Sequence, residues 1–158
     1  GSSSRRCPVG TEAAAHPAAQ KTPTPRAVTC YCGAPCALRP SKWGWFYGCT
    51  RRPCDGLVGV HPTSGRPLGT PASKAVRGLR RAVHLQLDPA WERYAVTAGI
   101  TRNRARTAAY RWMKRALGLD RPYHTGELDA EGCWRALEVL AAMNPADPFP
   151  ADPTAPDP

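Results

Sequence analysis

The chain has 158 residues, a net charge of +10 and 42% hydrophobic residues. That suits one modest core, either a single small domain or a small domain with tails. No apolar run approaches the ~18 residues of a spanning helix, which excludes a helical membrane protein. The amino end, GSSSRR, lacks the order of a signal peptide and reads as a cloning remnant, so a soluble cytoplasmic protein is expected.

In chain order, residues 1–28 are rich in Ala, Pro, Ser and Thr without hydrophobic period and are expected to be a disordered tail. Residues 29–69 follow as a zinc-ribbon-like β element of short strands and tight turns. Two cysteine clusters, TCYCGAPC (29–36) and GCTRRPC (48–54), lie about a dozen residues apart. Thiolates on two such turns can surround one tetrahedral Zn²⁺, and the segment is too short to fold without that help. Gly33 directly after Cys32 suits a turn whose N–H groups face sulfur, and Pro53 stiffens the second turn. WGWFYG (43–48) is expected to be the strand feeding that turn.

Three cysteines compete for two places in the first cluster. The spacing favours Cys32, Cys49 and Cys54, with Cys30 ahead of Cys36 as the fourth ligand. His61 is a weaker substitute. Four thiolates would leave the ion no open position, so one structural Zn²⁺ is expected. Disulfides are the competing interpretation; seven cysteines, an odd number, and the turn-like clusters argue against it. Cys7 and Cys133 are read as non-ligands.

The region 70–143 is expected to be helical, with three or four helices. Thr70-Pro71 has the cap-then-proline signature of a helix running to about Leu87, with Ala72, Ala75, Val76, Leu79, Ala82, Val83 and Leu87 on its apolar face. Asp88-Pro89 repeats the signature and predicts a separate short helix carrying Trp91 and Tyr94, ended by Gly99. Thr101 should cap a third helix to Leu117, stopped by Gly118, with Ala105, Ala108, Ala109, Trp112 and Ala116 inside. A fourth, capped by Asp129, should run from about Ala130 to Met143 and bury Cys133, Leu137, Leu140 and Ala141. Residues 144–158, with six prolines and three aspartates, predict an extended disordered tail. The fold class expected is small α+β.

Charge is concentrated in the middle. Residues 29–117 hold sixteen Lys and Arg against Asp55, Asp88 and Glu92, whereas residues 118–158 carry a net −6. A +13 stretch repels itself and is best matched by a polyanion, which points to nucleic acid. Arg51 and Arg52 sit between two proposed ligands. Arg77, Arg80 and Arg81, then Arg104, Arg111, Lys114 and Arg115, with Arg102 and Arg106 beside them, lie on the helices as candidate phosphate contacts. Trp43, Trp45, Phe46 and Tyr47 could stack on unpaired bases, although alternate strand residues must fill the ribbon core.

The pieces YCGAP (31–35), Cys49, CDGLVGVH (54–61), RPLGT (66–70), LRRAVHLQLDPAW (79–91), AAYRWMKRALGL (108–119) and HTGELDAEGC (124–133) occur in an order that resembles a family of short phage and prophage proteins described as a zinc-finger-containing domain. The resemblance implies a zinc ribbon joined to a helical segment, in a mobile element within a bacterial host. Such proteins usually carry C-x-x-C-G at the first turn; here Thr29 stands where the first cysteine would fall, and Cys36 takes a position normally small and apolar.

Three functions follow as expectations. The first is a basic nucleic-acid-binding protein, DNA or RNA, with little sequence specificity. The second is a protein–protein adaptor docking on a host or phage enzyme such as a polymerase. The third, the weakest, is a nuclease using His61, His84 and Asp88; the scarcity of carboxylates in residues 29–117 argues against a Mg²⁺ cage and hence against an enzyme.

Overall fold

A computed structural model describes residues 21–151. The expectations for residues 1–20, including Cys7, and for residues 152–158 fall outside them. Three strands, β1 (Cys36–Ser41), β2 (Gly44–Cys49) and β3 (Leu57–Gly59), form an antiparallel sheet in the order β1-β2-β3. Three helices follow, α1 (Lys74–Thr97), α2 (Arg102–Ala116) and α3 (Ala130–Ala141), with a short 3-10 turn at Thr125–Glu127. The chain is thus a small α+β protein with Cys30, Cys32, Cys36, Cys49 and Cys54 in its β part.

The ribbon core is small: Val28, Tyr47, Val58 and Val60 are buried together. Tyr47 is buried with both polar functions used, donating to Gly65 O at 2.7 Å and accepting from Arg26 N at 2.9 Å. It is a core residue rather than a base-stacking one. Its neighbours Trp45 and Phe46 are half-buried, and only Trp43, at the β1–β2 turn, is open to solvent, 86% exposed. The ribbon also begins earlier than expected. Lys21–Val28 runs along it, with Pro23 and Val28 buried, and Cys36 N donates to Val28 O. Periodicity could not reveal this because the segment contributes single apolar residues to a neighbour's surface.

Two expected helices are one. α1 runs through Pro89, which has no N–H for the Leu85 carbonyl and would cost ~3 kcal/mol in an isolated helix. Both residues lie on the exposed side, where water can take that carbonyl. Across the proline, Val83, Leu87, Ala90, Trp91 and Ala95 continue a single buried face, and that packing decides the matter. Asp88 caps nothing; its Oδ1 accepts from Trp91 Nε1 at 3.0 Å.

The start of α1 also moves. Ala72 exchanges both backbone hydrogen bonds with Leu57, each 3.1 Å, so Pro71-Ala72 extends as a bridge beside β3. Helix can therefore begin only after Ser73, whose Oγ accepts from Val76 N. Thr70, freed from capping, donates its N–H to Gly126 O and receives Arg80. The caps Thr101 and Asp129 and the stop at Gly118 (φ 64°) stand where the sequence places them.

The helical core gathers Val83, Leu87, Trp91, Ala105, Ala109, Met113, Cys133, Ala136 and Leu140. Of the expected packing residues, Ala75, Ala116 and Ala141 are exposed instead. Met113, four residues after Ala109, and Ala136, between Cys133 and Leu140 on one helix face, fill the core beside the expected residues. Phe149 completes this core. Residues 144–151 do not extend as a solvated tail: Pro148 and Phe149 are buried, and the Phe149 ring meets Tyr94 and Trp112 edge-on with centroids 5.5 and 5.7 Å apart. A lone aromatic among prolines gives no periodic signal, yet its burial outweighs the local preference for extended chain. Phe149→Ala should therefore lower unfolding free energy by about 3 kcal/mol in urea titration, where a solvated tail residue would change nothing measurable.

Candidate metal centre

The four cysteines arrive on two turns. The first is closed by the Thr29–Pro35 bridge; inside it Cys30 N donates to Ala34 O and Gly33 N to Cys30 O, with Gly33 at φ 86°. That left-handed turn at Gly33 lets Cys30 and Cys32 share a C-x-C spacing tighter than the usual C-x-x-C. Cys49 ends β2 and Cys54 follows a turn in which its N–H returns to Arg51 O. The turns are tied together: Thr50 N and Oγ1 both donate to Pro35 O, and Arg51 Nη1 donates to Cys32 O at 2.9 Å.

The result brings Cys30, Cys32, Cys49 and Cys54 into one group whose sulfurs all lie within 4.8 Å of one another. The Cys30–Cys54 and Cys32–Cys49 separations are 3.7 and 3.5 Å. Tetrahedral thiolates around an ion at ~2.3 Å stand ~3.8 Å apart, so the donor set fits a tetrahedral metal. Cys36 is not in the group. It is half-buried in β1, in register opposite Cys49, and packs against the cluster from outside. Among the described residues this is the one group of three or more His, Cys, Asp or Glu side chains close enough to share an ion.

The thiols are tuned unequally. Burial pushes Cys49 up to about 12 and raises Cys30, while the Tyr31 hydroxyl, with help from a backbone N–H at Gly56, holds Cys54 down at about 7. Arg51 N also donates to Cys49 Sγ at 3.4 Å. A cation is the natural counter-charge for this set, and its binding would release the protons that burial otherwise retains.

Two residues that support the centre were not singled out by spacing. Asp55 accepts from Tyr31 Oη at 3.0 Å on one oxygen and from Lys74 N at 2.8 Å on the other. It therefore links the second turn to the first residue of α1, and these donors lower its pKa. Gly56 is the second. A Cβ there would overlap Cys30 Sγ and stand 3.4 Å from Cys54 Sγ. The C-D-G string at 54–56 was visible, but only the folded chain shows that the glycine makes room for sulfur. Gly56→Ala should weaken metal binding at least tenfold in a chelator competition, and unchanged affinity would show that the four sulfurs do not share an ion.

The basic residues divide into two groups. Arg51, Arg77, Arg80 and Arg115 are held by the protein's own oxygens: Arg77 Nη1 donates to Ala72 O and Asp55 O, Arg80 to Leu128 O, Thr70 O and Thr70 Oγ1, and Arg115 Nη2 to Pro150 O. Arg52, Arg81, Arg104 and Arg111 are exposed, and Lys114 is half-buried on α2. Of the polar residues considered for catalysis, His61 Nδ1 lies 3.1 Å from Thr63 Oγ1 in an exposed loop. His84 and Asp88 face each other one turn apart on α1 at 3.3 Å. No helix among the described residues is long and apolar enough to cross a membrane.

Fold and site together define a class: a thiolate-clustered β module, of the zinc-finger kind, carried on a three-helix unit. The model of the zinc-finger-containing domain family matches residues 26–143, and the chain belongs to that family. No curated protein and no solved structure matches it.

Proposed function

We propose that this is a zinc-binding, nucleic-acid-binding protein of phage or mobile-element type. Cys30, Cys32, Cys49 and Cys54 hold one structural Zn²⁺ and α2 supplies the principal phosphate contacts. Sulfur donors at tetrahedral spacing favour Zn²⁺ over hard cations, which take oxygen. Four thiolates leave no open position for water, so we read the protein as a binding protein without a reaction of its own. Thiolates also need a reducing compartment, in this reading the cytoplasm of a bacterial host.

One observation carries the nucleic-acid assignment. α2 bears Arg102, Arg104, Arg106, Arg111, Lys114 and Arg115 and not one acid, on a rigid helix whose other face is locked in the core. Arg102 is engaged by Glu92, but Arg104, Arg106 and Arg111 stand on the exposed side. Cations on a fixed element neutralise phosphates without reading bases. Binding should weaken with salt, log Kd changing by about 0.7 to 0.9 per log salt for each neutralised phosphate. Anisotropy titrations from ~50 to 200 mM salt test this. A flat response, or no binding at the lowest salt, removes the proposal.

Docking on a protein is a second reading, favoured by one specific feature. Trp43 projects from the β1–β2 turn, 86% exposed, with Lys42 Nζ 4.8 Å above its ring. Capture of a partner that survives nuclease and high salt, and is lost in Trp43→Ala, would support it.

A further inference from the structure

A groove of about 480 Å³ runs along α2. Its floor is one face of the helix, Asn103, Thr107 and Tyr110, and its far wall is Pro122 and Tyr123. Arg106, Arg111 and Lys114 line it as well, and no acidic residue does. Its volume lies in the range of small-molecule sites, and its composition is divided: apolar ring surfaces inside, three cations spread over ~12 Å of helix.

The planar groups in the groove are held in place. The Arg106 guanidinium lies over the Tyr110 ring at 4.9 Å while its Nη2 donates to the Tyr110 hydroxyl at 3.2 Å. Tyr110 meets Tyr123 edge-on at 5.2 Å, and Tyr123 is anchored by its hydroxyl on Thr125 Oγ1 at 2.8 Å. The tyrosines therefore form a fixed wall against which a flat ligand loses little freedom on binding. A stacked guanidinium presents a planar cation, the surface on which an unpaired base stacks, and the neighbouring cations suit a phosphate ester. The bases inside a duplex are already stacked on each other, so an unpaired nucleotide is the unit that brings a free face and a phosphate together along the strand.

We propose that this groove seats one nucleotide of an unpaired strand, its base against the Arg106–Tyr110 pair and Pro122, its phosphate against Arg111 and Lys114. The inference rests on the nucleic-acid reading above and adds the kind of strand. Asn103 and Thr107, exposed and one helical turn apart, supply hydrogen-bonding side chains at the floor.

The test compares a thymidine dodecamer, a duplex of equal length and a mononucleotide, each at the same salt, on the zinc-loaded full chain. The wild type should prefer the single strand by about tenfold, the size of one stacked base. Thr107→Leu narrows the groove without changing charge or adding an aromatic face and should bring that ratio close to one; Asn103→Leu, at the other end of the floor, is the second variant should the first misfold. No strand preference in the wild type, or a preference that survives both variants, overturns the groove assignment while leaving salt-dependent binding intact. If the variants abolish only mononucleotide binding, the groove belongs to a free nucleotide and the strand assignment fails. Absence of binding to all three at ~50 mM salt instead removes the nucleic-acid reading itself.

Discussion

Cys49→Ser is expected to leave the protein with less than half an equivalent of zinc and to unfold the ribbon while the helices remain. The apolar cluster of the β module has only four buried residues, Tyr47 among them, too small a core to hold a segment of this length by itself. In small thiolate modules metal binding supplies folding free energy directly. The helical core is separate, built from α1, α2, α3 and Phe149, and shares no buried apolar residue with the cysteine cluster. Amide exchange should therefore become fast across β1–β3 and stay slow in α1 near Leu87 and α2 near Met113. Chelation of the wild type should reproduce the pattern. Undiminished zinc in the variant, or helices that melt together with the ribbon, would contradict it. The Arg51 amide, which donates to Cys49 Sγ, and the Lys74 amide, which donates to Asp55 Oδ2, should lose protection first, since both depend on the turns that the ion holds.

The second large effect concerns α2. Replacing Arg104, Arg106, Arg111 and Lys114 together by glutamine should weaken nucleic-acid binding by roughly 10³- to 10⁴-fold at ~0.1 M salt and reduce the salt slope by about three to four. Glutamine has nearly the helix propensity of arginine, so α2 itself should persist. The informative comparison is Arg77→Gln with Arg80→Gln. These two guanidiniums satisfy five acceptors, among them the carbonyls of Asp55, Thr70, Ala72 and Leu128, and so join the ribbon, the connecting loop and the segment before α3 to α1. Their loss should lower stability, each bond contributing ~1 kcal/mol, while changing the salt slope little. If instead the quadruple and the double variant change the slope equally per charge removed, the basic residues act as a diffuse field and α2 has no special place.

Much of this was legible in the chain. The two cysteine clusters, their turn residues, the helix caps at Thr101 and Asp129 and the small α+β class all follow from local rules, because a turn or a cap is decided by residues within a few positions of it. The four cysteines ranked first by spacing are those whose sulfurs converge, and Cys36, opposite Cys49 in the sheet, stays outside. Where spacing alone left Cys30 and Cys36 as alternatives, the direction of β1 separated them.

Other features needed the folded molecule. Whether Pro89 breaks a helix depended on a buried face that continues on both sides of it, and whether Thr70 caps one depended on Ala72 pairing with Leu57. Phe149 looked like part of a solvated tail until Tyr94 and Trp112 provided a place for it. The arginines show the same division. Composition revealed a cationic block of +13 but could not sort its members, since a guanidinium holding a carbonyl and one facing solvent are the same letter. Sequence determined where the charge and the sulfur lie, because both are properties of residue type and local spacing. Only the tertiary structure decided which sulfurs meet, and which arginines clasp the protein and which are left exposed on α2, because those depend on atoms far apart in the chain.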